Sequence, residues 1–375
     1  MVQMQSYSPV HVAILLENQF EDSEFKVPYT ALLQANAQVT VVGTRMNDEY
    51  KGERGKVSHK PDATTTEVRA EDFDAIVLPG GAAPDKIRTN PQAIRLVTDA
   101  MKLEIIVAAV CHGPQVLIEA DLIRDKRVTG FQAIRKDIEN AGGQYIDEPV
   151  VIDDNLITAR CPSDLPLFTT TLLNKLGLTI PDKLLPVITD RIYPWWELGE
   201  LWQGSSKQDI LNALNTAIVG ERYTLAAFQK YKEQTRNADF QVLAQEVVAT
   251  KYRHIELLEN RLQDFGETIT WQAIGSEPFA ALQSWLQSSE DESLMRRALG
   301  DLQTGAVDAM HLSTWLTDPQ TTELLKQISD NLLHHVQQLG ELYRTCWGKA
   351  VKPPLPTTLA MSEIQSLVVP LAMLR

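Results

Sequence analysis

The chain has 375 residues, a net charge of −14 and 44% hydrophobic content. That length accommodates two domains, each with its own core, and the acidic balance argues against nucleic acid or an anionic membrane as the main partner. The three cysteines, Cys111, Cys161 and Cys346, are too few and odd in number for a disulfide framework, which points to a reducing compartment. The first residues, MVQMQSYSPV, hold no basic region, and the apolar run His11–Leu16 is far too short for a signal peptide or a membrane span. A soluble cytoplasmic protein is expected.

Taken in order, Val10–Leu16 reads as a strand, Asn18 to Glu24 as a polar loop, Phe25–Ala35 as a helix and Gln38–Gly43 as a second strand. Met46–Val68 is polar, with short strand-like pieces. Phe73–Leu78 is a buried strand ended by Pro79-Gly80-Gly81, and Asn90–Met101 is helical. A run of small and β-branched residues, Ile105–Val110, forms a further strand ending in Cys111-His112-Gly113-Pro114. Continuously apolar strands alternating with helices predict a parallel sheet covered on both faces. Ligands in such sheets bind beyond the carboxyl ends of the strands, where Glu21-Asp22, Gly80-Gly81 and Cys111-His112 fall.

A Cys at a strand-to-helix turn faces backbone N–H groups and a helix dipole, which stabilise a thiolate. Gly113 suits a tight turn and Pro114 a first helical turn, the geometry of a nucleophile elbow with sulfur in place of oxygen. An unpaired Cys is often an inert core residue; the adjacent His, the Gly-Pro and the apolar strand favour the nucleophile. Cys161, after Arg160 and before Pro162, reads as a structural thiol, with redox partnering to Cys111 the alternative.

The motifs NQFEDSEFKVPY (18–29), AIVLPGGAAPDKIR (75–88), AVCHGPQVL (109–117), DIENAGGQYIDEPVVIDDNLITAR (137–160) and CPSDLP (161–166) resemble the PfpI/ThiJ superfamily, within the class I glutamine amidotransferase-like fold. The resemblance implies a flavodoxin-like three-layer α/β sandwich. It also implies that Cys111 is the nucleophile, that Glu21 is the acid hydrogen-bonded to its sulfur and that His112 is the general base. An acid from an adjacent subunit orients that His in the family, and Asp85 stands at its position, one methylene shorter than the Glu of many members. Gly81 and the His112 N–H are similar to the family's oxyanion-hole pair. Glu21 could instead be a solvated loop acid, and Asp85 an N-cap of a helix starting near Lys86. The implied chemistry is thiolate addition to a reactive carbonyl or a glycated substrate, glyoxalase-like or deglycase-like. The alternatives are an intracellular cysteine peptidase and a non-enzymatic redox-sensing stress protein. The acid in trans implies a homodimer or higher homo-oligomer.

Residues 179–206 hold Pro181, Pro186 and Pro194 with Trp195, Trp196 and Trp202, and are expected to link two domains, the rings anchoring one domain or subunit to another. The α/β domain is thus placed at 1–178. From 207 to 350 strands vanish, and amphipathic segments at about 207–235, 238–265, 290–316 and 321–347 predict a four-helix bundle. The long connection Gly266–Glu290 gives it a ferritin-like order. Glu221 and His254 lie on apolar faces, and the bundle resembles the rubrerythrin-like end of the ferritin-like superfamily. A di-iron centre there wants Glu-x-x-His on two helices, but Lys251 stands three before His254, and Asn331 and Leu332 stand three before His334 and His335. Asp308-x-x-His311 fits no expected position. Two readings follow: a degenerate di-iron site in which the Lys251 ammonium replaces the metal's charge beside Glu221, which is favoured, or one metal held by Glu221, His254, Asp308 and His335. No cofactor is expected elsewhere. The tail, 351–375, is Pro-rich and then apolar, with a short helix expected over Leu359–Leu374.

Overall fold

The computed structural model describes residues 9–268 and 290–348. The chain divides into two units, one of residues 1–207 with 317–319, the other of residues 208–316 and 320–375. Among the described residues no helix is long and apolar enough to cross a membrane.

The first unit contains strands β1 (His11–Leu15), β2 (Gln38–Gly43), β3 (Tyr50–Lys51), β4 (Ser58–His59), β5 (Ala63–Thr64), β6 (Ala75–Leu78), β7 (Ile106–Val110), β8 (Arg127–Val128), β9 (Gln144–Tyr145), β10 (Val150–Asp153) and β11 (Leu156–Ala159). Its helices are α1 (Asp22–Gln34), α2 (Ala83–Ile87), α3 (Pro91–Lys102), α4 (Pro114–Glu119), α5 (Arg135–Asn140), α6 (Leu165–Lys175) and α7 (Trp195–Leu201). The main sheet has seven strands in the order β10-β11-β7-β6-β1-β2-β5, parallel except for the β10–β11 hairpin. Its central strands are buried on both faces, as their unbroken apolar runs require. Chain direction across the sheet reverses at β1, so the carboxyl ends of β1, β6 and β7 open onto one crevice.

The Trp-rich segment is not an extended linker. Trp195, Leu198 and Trp202 are buried in the core of this α/β unit, and the Trp195 indole N–H donates to the Asp190 carbonyl at 2.8 Å. Those two rings anchor the segment to its own domain, because indole burial outweighs the extended preference of the neighbouring prolines. Thr317 belongs to the same unit: its Oγ1 accepts the Ser205 N–H at 2.8 Å and its own N–H donates to Ser205 Oγ at 3.0 Å.

The second unit is built of α8 (Lys207–Gln234), α9 (Ala238–Asp264), α10 (Asp291–Thr314) and α11 (Pro319–Trp347), close to the four predicted segments. The predicted stripes are buried: Ile210, Leu214, Ile218 and Phe228, and likewise Phe240, Val247, Leu258, Leu302, Leu325, Ile328 and Leu332. Asn237 caps α9 by accepting the Phe240 N–H at 2.9 Å. Most of the connection 266–290 and the proposed helix Leu359–Leu374 lie outside the described residues.

Candidate functional site

Strand β7 delivers Cys111 to the carboxyl edge of the sheet, and α4 departs three residues later. Cys111 itself has φ 60°, a left-handed conformation that few side-chain-bearing residues adopt. That turn lifts the thiol out of the strand line. Gly113 was expected to supply the turn, but it has φ −48° and ψ −38°, ordinary right-handed geometry. Glycine is needed there for a different reason: a Cβ would fall 2.3 Å from the Leu78 carbonyl oxygen. The elbow is pressed against the end of β6.

Gly80, at that end of β6, is packed as tightly. A Cβ there would lie 2.7 Å from Glu24 Oε2, 2.8 Å from Cys111 Cβ and 2.8 Å from the His112 nitrogen. Those three groups therefore converge, and the carboxyl beside the sulfur is Glu24, not Glu21. Glu24 is fully buried; its Oε2 accepts the Gly80 N–H at 2.7 Å, and its carboxyl is near enough to Cys111 to push the thiol up. Glu21 instead caps α1, accepting the Ser23 and Glu24 N–H groups at 2.7 and 2.9 Å and pairing with Arg54. The mismatch of three residues has a local cause. Helix α1 starts at Asp22, so the stretch read as a polar loop contains the first helical turn, and the two acids lie about one turn apart. Reading Glu21-Asp22-Ser23-Glu24 as a cap followed by an acidic first turn would have placed Glu24 inside the helix.

Burial raises the Glu24 carboxyl well above its ordinary value, and the nearby Glu21 charge adds to it. Burial likewise pushes the Cys111 thiol up, with Glu24 and then Cys161 adding to it. Two adjacent anions are disfavoured in so dry a site, so the Glu24 carboxyl holds the thiol toward its neutral form. Glu24 Oε1 has no hydrogen-bond partner among the described residues.

His112 Nδ1 lies 3.4 Å from Cys111 Sγ, and the ring packs on Phe131 with centroids 5.0 Å apart. Burial lowers the imidazole below its ordinary value, opposed by the charges of Glu53 and Asp85. Asp85 is the third residue of α2, so it is not that helix's N-cap, which is Ala82. Its side chain is 59% exposed and pairs with Arg88 at 2.8 Å; it makes no hydrogen bond to His112 within the chain. Glu53, which sequence reasoning missed, accepts the Ala82 N–H at 2.8 Å and has the larger effect on His112. It sits on the loop between β3 and β4, where a glycine-containing polar stretch offers no periodic signal.

Gly81 has φ 73° and a left-handed conformation. Among the described residues neither the Gly81 nor the His112 backbone N–H has a backbone acceptor, so both are available to a developing oxyanion. Cys161, 7% exposed, follows β11; its Sγ lies 3.2 Å from Ser163 Oγ and 3.8 Å from Asp164 Oδ2.

In the bundle, Glu221, Lys251 and His254 are buried together. Lys251 Nζ donates to Glu221 Oε1 at 3.1 Å, His254 Nδ1 lies 2.9 Å from Glu221 Oε2, and Asn331 Nδ2 is 3.1 Å from His254 Nε2. Burial works to raise the Glu221 carboxyl, but the Lys251 ammonium and His254 override it and hold it below its ordinary value. His335 is elsewhere, bonded to Thr250 at 2.9 Å and Gln338 at 3.0 Å. Asp308 is half-buried on α10, and no group of three or more metal-ligating side chains forms among the described residues. Both Glu221 oxygens and both His254 nitrogens are already engaged by protein. The residues present do not fit a di-iron centre, and they do not bring Glu221, His254, Asp308 and His335 to one ion.

The chain matches the DJ-1/PfpI family over residues 10–175. Over 167 residues it is 38% identical to protein/nucleic acid deglycase 2 of Escherichia coli (strain K12), an alignment covering 44% of this chain and 97% of that protein. General stress protein 18 of Bacillus subtilis (strain 168) is 37% identical over 158 residues, 42% of this chain and 92% of that one. A crystal structure from Anabaena variabilis, of a two-domain protein containing DJ-1/ThiJ/PfpI-like and ferritin-like domains, is 48% identical and covers 94% of this chain and 100% of its own, with a TM-score of 0.89. The elbow, the sheet and the helical unit thus have one set of counterparts, and the chain belongs to the DJ-1/PfpI family, with a ferritin-like domain following the DJ-1/PfpI domain.

Proposed function

We propose that the protein is a cysteine enzyme of reactive-carbonyl or glycation chemistry. The observation that carries this reading is the strained elbow at Cys111, with an acid and an imidazole on its sulfur. In this reading the Cys111 thiolate attacks the aldehyde carbon of an α-oxoaldehyde such as methylglyoxal, giving a hemithioacetal. The Gly81 and His112 N–H groups take the charge that develops on oxygen. Neutral His112 then removes the proton from the former aldehyde carbon and returns one to the neighbouring carbon, leaving a thioester. Water releases the hydroxy acid and restores the thiol. On an early glycation adduct, the same attack displaces the amine instead. The name of the Escherichia coli relative, a deglycase, supports this class.

The same reading assigns the bundle a metal-free structural role in which Lys251 supplies the positive charge beside Glu221. It takes the assembly to be at least dimeric, because Asp85 is surface-exposed and free of His112 within its own chain. A reducing cytoplasm suits its three unpaired cysteines. The test compares pure protein on methylglyoxal, on methylglyoxal-modified acetyl-lysine and on fluorogenic peptides, with products followed by NMR. Turnover of either carbonyl substrate with inert peptides is expected; peptide cleavage without carbonyl turnover would make it a peptidase.

A further inference from the structure

We propose that Cys161 is a resolving thiol for Cys111, capturing the sulfenic acid formed there by a hydroperoxide as a reversible Cys111–Cys161 disulfide. The inference rests on Cys111 being the reactive thiol argued above and gives it a redox partner.

Both cysteines sit at the same end of neighbouring parallel strands. Ala159 of β11 pairs with Val110 of β7, and the Cys111 N–H donates to the Ala159 carbonyl at 3.0 Å, so the pairing runs up to the elbow itself. Cys161 follows two residues later in fully extended backbone, φ −168° and ψ 176°. Cys161 thus stands two residues beyond the carbonyl that receives the Cys111 N–H, at the same edge of the sheet as the elbow. Both thiols are buried, at 6% and 7% exposure, and each lies in the other's electrostatic field. Cys161 also has a proton acceptor. Its Sγ lies 3.8 Å from Asp164 Oδ2, a carboxylate fixed by Arg160 at 2.9 and 3.1 Å.

The chemistry balances with one hydroperoxide. The Cys111 thiolate attacks the terminal oxygen, the O–O bond breaks, the sulfur is oxidised to the sulfenic acid, and the leaving alkoxide or hydroxide takes a proton. Cys161 gives up its proton toward Asp164 and attacks the Cys111 sulfur. The S–S bond forms, the S–O bond breaks, and hydroxide leaves as water with that proton. Two thiols and one hydroperoxide become one disulfide, one alcohol or water, and one water. Without a second thiol the sulfenic acid advances to sulfinic acid, which ordinary thiols do not reverse.

The experiment uses the full chain carrying Cys346→Ser, which removes the exposed thiol, with and without Cys161→Ser. Iodoacetamide labelling of the reduced protein first reads Cys111 reactivity. Hydrogen peroxide is then added, one equivalent for the protein with both thiols and two for Cys161→Ser, followed by intact-mass and peptide-map analysis. The proposal predicts a loss of about 2 Da with a linked 111–161 peptide, reversed by dithiothreitol, and a gain of about 32 Da on Cys111 when Cys161 is Ser. If Cys111 labels readily but gains that oxygen mass while Cys161 stays alkylatable, the resolving role is overturned and the nucleophile stands. If Cys111 reacts with neither reagent, both readings fall. The wild-type linkage is diagnostic even if Cys161→Ser folds poorly.

Discussion

Glu24 Oε2 accepts the Gly80 N–H at 2.7 Å, and this bond pins the carboxyl against Cys111. The carboxyl is fully buried and titrates above its ordinary range, and it adds to the rise of the Cys111 thiol. Because Glu24 adds to the rise of the Cys111 thiol, Glu24→Ala is expected to move the midpoint of Cys111 alkylation down. An upward move would mean that Glu24 stabilises the thiolate.

His112 is lowered below its ordinary 6.5 by burial, against the pull of Glu53 and Asp85. It is neutral and basic at pH 7. Turnover should fall on the acid side with a midpoint below 6.5, and His112→Gln should abolish that limb along with most of the rate. Glu53→Gln removes the larger of the two opposing charges and should move the midpoint further down. An acid limb unchanged in both variants would remove His112 from the mechanism.

Lys251 and Glu221 form a buried ion pair at 3.1 Å. Removing one member of such a pair costs about 3–5 kcal/mol, whereas replacing both by apolar or neutral groups is often close to neutral. Lys251→Met should lower the melting temperature strongly, and Glu221→Gln with Lys251→Met should recover much of the loss. The Glu221 carboxyl is depressed in the fold, so its contribution is present above the ordinary value of 4.5 and is lost as pH falls through the folded value. Calorimetry across that range checks the sign. Chelator should leave the melt unchanged, and iron or zinc bound stoichiometrically by wild-type protein would contradict the ion-pair reading.

Much of the α/β unit was legible because the strands are continuous apolar runs, and β2 is found at its predicted limits, Gln38–Gly43. The bundle helices were legible from stripes such as Ile210, Leu214 and Ile218, all buried. The site was only partly so. Cys111 and His112 adjoin in sequence, and their contact follows from it. The acid did not follow, because Glu21 and Glu24 share a helical turn whose start is set by capping and by the Gly80 N–H, a contact 56 residues away. Glu53 was invisible for the same reason: its link to Ala82 spans 29 residues. Lys251 beside Glu221 was legible, since a buried carboxylate on an apolar stripe demands a cation and helix period places one.

Everything in the catalytic account passes through one sulfur. The measurement that bears on it most directly is the rate of methylglyoxal loss, with hydroxy-acid formation by NMR, for wild-type protein and Cys111→Ser at equal folded concentration. Multiple turnovers by wild type, with the variant at the buffer rate, are the predicted result. A variant that retains full turnover would show that Cys111 is not the nucleophile.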